Sequence, residues 1–140
     1  YGANGYTGRL IAEEARRRGH EPVLAGRNRA AVEALGDALN LSTRVFDLEN
    51  QVESHLDDVS LVLHCAGPFS ATSAPMLEAC LSKHVHYLDI TGEIDVFEHA
   101  WRQDERARHG MDRLIECCAE NLAAGSSLVS RSGSSHAIST

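Results

Sequence analysis

The sequence predicts an α/β fold, a doubly wound parallel sheet with helices on both faces, incomplete at its N-terminal strand. Three observations predict it. Short apolar runs alternate with helical stretches of roughly 10 to 15 residues, the rhythm of βα units in a parallel sheet. Gly2, Gly5 and Gly8 stand at three-residue spacing immediately before the first helical stretch. The run SLVLHCAG is almost continuously apolar, as a strand covered on both faces must be.

The elements follow in order. The opening turn GANGYTG normally succeeds a buried strand, and the sequence opens at Tyr1, so the central strand of the sheet is expected to be lacking. The first helix starts near Tyr6, with Leu10, Ile11 and Ala15 as its apolar stripe and Gly19 as its stop. EPVLAG is a short strand closed by Gly26, and RAAVEALGDALN is a helix burying Ala31, Val32, Leu35 and Leu39. A brief TRVF strand and an acidic helical turn from Gln51 to Leu56 lead into SLVLHCAG. SATSAPMLEACLSK is a helix with Thr72 and Ser73 as caps and Pro75 in its first turn. HVHYLDI is a further strand, and a helix runs from Glu93 to about His109. From Met111 the alternation fails. RLIECCAENLAAG reads as helix, and residues 126–140, with seven Ser, cannot build a core. Residues 1–110 are therefore assigned to a dinucleotide-binding Rossmann domain and 111–140 to a divergent or disordered tail.

With 140 residues, 43% hydrophobic and 24% charged, the composition is that of one ordinary globular domain. No apolar run approaches the 18 or so residues of a membrane span, and no signal segment is visible, which places the expected location in the cytoplasm. A net charge of -7 argues against a nucleic-acid partner. The charge is uneven: residues 1–30 hold six Arg against three Glu, +3, which leaves -10 for the remainder. Positive charge is thus concentrated around the glycine turn. Cys65, Cys80, Cys117 and Cys118 show no CxxC spacing and read as reduced, buried thiols. His84 and His86 share a strand face without a third ligand nearby, so no metal is predicted. The absence of a GxSxG elbow makes a hydrolase improbable.

Gly2, Gly5 and Gly8, with Asn4, Tyr6 and Thr7 in the same turn, form the candidate pyrophosphate cradle: side chains at the glycine positions would hold a phosphate away from the backbone amides. Arg27 follows the second strand, 19 residues after Gly8, where an NAD-specific fold places an acid on the ribose hydroxyls. A guanidinium there selects the 2′-phosphate of NADP (NADPH), with Asn28 and Arg29 as candidate helpers; the competing reading is a solvated loop arginine. Ala66, Gly67 and Pro68 end the fourth strand, where small residues let the nicotinamide ribose approach the backbone; the alternative is a strand-ending turn. Tyr87, Asp89, Thr91 and Glu93 flank the next strand end without an assigned role.

YGANGYTGRLIA, LAGRN, HCAGPFS and HYLDITGE, in this order, resemble the NADP-binding domain of the saccharopine dehydrogenase-like family, which includes trans-acting enoyl reductases. The resemblance covers about residues 1–110. It implies NADP-dependent hydride transfer in a two-domain oxidoreductase that meets a small-molecule substrate through a second domain, with a homodimer admitted for the intact protein. It also implies that Asp47 accepts a hydrogen bond from the adenine amino group, a turn or cap aspartate being the alternative. After Gly110 the family's apolar strand and PGxGFD-like segment are not recognisable, which points to a shifted reading frame or truncated gene and to a chain inactive alone. No catalytic residue is assigned. Two other readings stay open. One is a non-catalytic NADP-binding redox sensor of the short-chain dehydrogenase-like class, whose active members carry Tyr four residues before Lys, the reverse of Lys83 and Tyr87. The other is a vestigial fragment that binds no nucleotide.

Overall fold

The computed structural model describes residues 1–103, 106–108 and 114–116. Its elements are α1 (Tyr6–Arg17), β1 (Leu24–Gly26), α2 (Arg29–Leu39), β2 (Thr43–Val45), a 3-10 turn (Val52–His55), β3 (Leu61–His64), α3 (Phe69–Lys83), β4 (His86–Asp89), α4 (Ile94–Trp101) and β5 (Leu114–Glu116). All strand pairings among the described residues are parallel. β1 pairs with β2, and β3, β4 and β5 pair in that order, so the strands form two half-sheets.

Tyr1, Gly2 and Ala3 join the halves. On one side the Tyr1 nitrogen donates to the Leu63 carbonyl at 2.7 Å and the Cys65 N–H donates to the Tyr1 carbonyl at 2.8 Å. On the other, the N–H groups of Gly2 and Ala3 donate to the Ala25 carbonyl at 2.8 and 3.0 Å. Bonding that alternates between two neighbours is the signature of a strand flanked on both edges by parallel partners. Alongside this short bridge lies an apolar cavity of about 420 Å³, lined by Ala12 and Ala15 of α1, Val23 and Ala25 beside and in β1, and Leu61 and Val62 of β3.

The same gap explains a correction in α1. Of the expected stripe Leu10, Ile11 and Ala15, Ile11 and Ala15 face inward beside the cavity, whereas Leu10 is 49% exposed and the buried positions are Gly8 and Ala12. The helix turns its smallest residues inward, at the i, i+4 spacing of one face. Gly19 ends it as expected, in the left-handed region at φ +82°. In α2, Val32, Leu35 and Gly36 are buried and the Asn28 side chain caps the start, accepting from the Ala31 N–H at 3.1 Å.

α3 departs further from expectation. Thr72 and Ser73 are not caps, because the helix begins at Phe69, with Pro68 preceding it, and Pro75 lies in its interior. Thr72 turns its hydroxyl back to the carbonyls of Ala66 and Pro68. α4 ends at Trp101, short of the helix expected to reach His109, and after a turn at Arg102 and Gln103 residues 106–108 are helical again. Arg106 nevertheless packs back onto α3, its guanidinium gripping both oxygens of Glu78 at 2.7 and 2.9 Å.

Leu114–Glu116, within the stretch read as helix, is a strand paired with β4, Leu88 opposite Ile115. A short apolar run beside a parallel neighbour gains ladder bonds that a helix there would forgo. The Ser-rich segment 126–140, Cys117 and Cys118 lie outside the described residues. Cys80 is buried and Cys65 half-buried, and neither is in a disulfide.

The interior divides as the sheet does. One cluster, under β3 and β4, holds Phe46, Val62, Met76, Leu77, Val85 and Tyr87; a smaller one, Ala3, Ala12, Leu24 and Leu35, lies between α1, α2 and β1. Among the described residues, no helix is long and apolar enough to cross a membrane.

Candidate cofactor site

The glycine turn sits where α1 points its N-terminus at the bridge between the half-sheets. Gly5 is the N-cap, no side chain caps the helix, and the first turn carries no acid. The amides of that turn would therefore meet an anion without a competing carboxylate. Gly2 has φ +82°, and a Cβ on it would lie 2.7 Å from the Ala66 nitrogen and 2.8 Å from the Cys65 carbonyl carbon. A Cβ on Gly8 would overlap the Gly2 carbonyl oxygen and stand 2.9 Å from the Ala3 Cα. Both positions thus exclude side chains, whereas Asn4, Gly5, Tyr6 and Thr7 form the exposed rim. Turn, helix and the Ala66 wall thus pack backbone to backbone, and with exposed Gly5 at a helix N-terminus that carries no acid, the residues present fit a dinucleotide pyrophosphate.

Arg27, Asn28 and Asp47 lie beyond the C-terminal ends of β1 and β2. Arg27 is exposed and has no ion pair among the described residues, whereas Arg29 is held by Glu33 at 2.8 Å. Asn28 is engaged as the α2 cap. Of the three candidate phosphate ligands, only Arg27 has its side chain uncommitted. Asp47 adopts the turn geometry that was the alternative to adenine binding: one carboxylate oxygen accepts from the N–H groups of Glu49 and Asn50 at 3.0 and 3.2 Å. The Tyr1 hydroxyl donates to the Phe46 carbonyl at 3.0 Å, and burial raises the pKa of this phenol, with Arg27 lowering it and Asp47 raising it. The ends of the bridge, β1 and β2 therefore converge.

Ala66, Gly67 and Pro68 form the opposite wall. Ala66 touches Gly2, so the glycine turn and this wall are contiguous. Behind the wall is His64, fully buried, whose Nε2 lies 3.0 Å from the Thr72 hydroxyl. That hydroxyl donates to the Ala66 or Pro68 carbonyl, so it accepts from Nε2–H, and Nδ1 is left buried with no partner. Burial pushes the His64 imidazole down to about 3. The unfolded chain, titrating near 6.5, therefore takes up a proton that the folded chain refuses. Stability is expected to be complete above pH 6.5 and to fall as pH drops towards 3, by at most roughly 1.4 kcal/mol per pH unit. His64→Phe should flatten urea-midpoint measurements between pH 6.5 and 5, above the carboxylate range; an unchanged slope would assign the loss to other groups.

Sequence reasoning left Glu93 without a role. Its carboxylate accepts from the N–H groups of Phe69 and Ser70 at 2.7 and 2.9 Å, the first two residues of α3, and the Ser70 side chain together with these two amides holds it below the usual carboxylate range. Its own N–H donates to Thr91 Oγ1, the Thr91 N–H donates to buried Asp89, and the Tyr87 hydroxyl donates to the same Asp89 at 2.8 Å. The signal that could have exposed it was a helix opening on Pro-Phe with no capping side chain of its own. Among the described residues no three His, Cys, Asp or Glu side chains are grouped as a metal would need.

Comparison with known proteins agrees with this geometry. The family described as the saccharopine dehydrogenase NADP binding domain matches residues 1–122, twelve residues past the point where the sequence resemblance was expected to stop. A Mycobacterium tuberculosis protein named as a trans-acting enoyl reductase is 30% identical, across 66% of this chain and 24% of the relative. A Bos taurus saccharopine dehydrogenase-like oxidoreductase is 26% identical, across 76% of this chain and 30% of its own length. The chain thus spans about a quarter to a third of these relatives. The crystal structure of a yeast methylglyoxal/isovaleraldehyde reductase complexed with NADPH superposes with a TM-score of 0.68 at 16% identity, covering 84% of this chain and 52% of that one, a likeness of fold.

Proposed function

Because the chain belongs to the saccharopine dehydrogenase NADP-binding domain family, we propose that it is the cofactor-holding part of an NADPH-dependent oxidoreductase. In this reading the first amides of α1 hold the pyrophosphate, with Gly2 and Gly8 keeping the approach clear. Arg27 holds the 2′-phosphate, and Ala66, Gly67 and Pro68 back the nicotinamide ribose. The bound nicotinamide supplies hydride chemistry; the chain's own residues bind, orient and exclude water. One observation carries the reading: Arg27 is exposed and has no ion pair among the described residues, beside a turn whose Gly2 and Gly8 admit no side chain.

The gap between β1 and β3 belongs to the same proposal. An extended apolar segment leading into Tyr1 would continue the bridge, and a single doubly wound sheet, β2-β1-strand-β3-β4-β5, would result. Support comes from the ladder bonds of Tyr1 to Leu63 and Cys65 and of Gly2 and Ala3 to Ala25. The substrate surface is assigned to a second domain, since the relatives are three to four times as long as the segment matched here.

The direct test is calorimetric titration with NADPH and NADH. A preference for NADPH of about tenfold or more, worth about 1.4 kcal/mol, is expected from one charge-assisted phosphate contact. Equal affinities, or no binding of either, would overturn the assignment.

A further inference from the structure

Glu93 binds two things at once, and the pair defines a role. Its backbone is fixed at the C-terminal end of β4 by the buried chain of Thr91, Asp89 and Tyr87; Asp89 is 0% and Thr91 1% exposed. Its carboxylate spans to the start of α3 and takes the Phe69 and Ser70 amides, donors that the helix itself cannot satisfy. Those amides directly follow Ala66, Gly67 and Pro68, and Thr72 holds the same three-residue wall from within the helix through the Ala66 and Pro68 carbonyls. The wall is therefore gripped from two sides, by Thr72 at its carbonyls and by Glu93 at the amides just beyond it.

We propose that Glu93 is a positioning residue for the cofactor, holding the wall against which the nicotinamide half lies while leaving the adenosine half untouched. This rests on the site reading above. The division follows from distance along the fold: Arg27 and Asp47 end β1 and β2, in the other half-sheet from Glu93. A side chain needed only for folding would weaken both halves together. One that sets the wall weakens only ligands that reach it.

The test uses the whole chain, the variants Glu93→Ala and Glu93→Gln, and two probes, NADPH and adenosine 2′,5′-bisphosphate, which lacks the nicotinamide half. Glu93→Ala is expected to raise the NADPH dissociation constant about tenfold and to leave that of the bisphosphate within about twofold, with Glu93→Gln, which keeps one acceptor, in between. Backbone amide exchange supplies a readout without nucleotide: Phe69 and Ser70 should exchange faster in Glu93→Ala, while Leu77–Leu81 keep their protection. Equal losses for both probes, an unchanged NADPH affinity, or unaltered exchange at Phe69 and Ser70 would each overturn the proposal. If the parent chain bound neither probe, the cofactor reading itself would fail, and unaltered exchange would still count against the grip.

Discussion

Gly8→Ala is expected to weaken NADPH binding about a hundredfold and to destabilise the domain. The added methyl meets the Gly2 carbonyl oxygen and lies 2.9 Å from the Ala3 Cα and 3.1 Å from the Gly2 carbonyl carbon. All three are backbone atoms, and their segment is tied to both half-sheets through Ala25, Leu63 and Cys65. No flexible side chain can yield, so α1 itself must move off the bridge. Overpacking of this kind costs about 1 to 3 kcal/mol, and the displacement carries the first-turn amides away from the phosphate. Losing two charge-assisted contacts of roughly 1.5 kcal/mol each corresponds to about a hundredfold in affinity. Gly5→Ala is the matched comparison: its Cβ would stand 3.3 Å from the Gly2 oxygen and the position is exposed. Thermal unfolding and NADPH titration of the two variants side by side decide the matter. Parent-like affinity in Gly8→Ala would mean that the cradle is elsewhere.

The second large effect is expected from Arg27→Asp. Arg27 is spoken for by no carboxylate among the described residues, so its removal leaves no protein partner orphaned. What is lost is a bidentate grip on a dianionic phosphate, and what is gained is a like charge facing it. Together these should weaken NADPH by about 2 to 3 kcal/mol, roughly 30- to 150-fold, with NADH nearly unaffected and the unfolding midpoint unchanged. The nucleotide contrast matters more than the absolute loss. Equal weakening of both nucleotides would show that Arg27 serves the shared pyrophosphate instead, and no weakening would return it to a solvated loop.

The close packing of the glycine turn was legible because backbone geometry has few alternatives: glycines at that spacing before a helix let turn and helix approach where a Cβ would collide. The α2 helix was legible for a similar reason, since its apolar spacing and its end at Leu39 are local. What escaped was decided over distance. The start of α3 was placed at Thr72 and Ser73 because they are cap-forming residues in sequence, whereas the actual cap comes from Glu93, 24 residues from Phe69. The inner face of α1 was misjudged because Leu10 looks like core, yet the helix lies over the seam with Gly8 and Ala12 inward. β5 was missed because three residues, Leu114–Glu116, carry no periodicity, and only pairing with β4 makes them a strand. The Asp47 turn and the Asn28 cap are local, two to three residues in span, and the turn at Asp47 was one of the two readings its sequence position offered.

The two interior clusters share no residue, and Tyr1–Ala3 with the loop around Phe46 cross between them. A nucleotide lying on Gly2 and Ala66 would span that seam and hold its two banks together. At a hundred times its dissociation constant such a ligand adds about 2.7 kcal/mol to the closed form, thinning the opened population roughly a hundredfold. Proteases cut opened chains. The lifetime of this polypeptide in a cell would then track its cofactor supply, with molecules retained when the reduced nucleotide is plentiful and cleared when it is scarce.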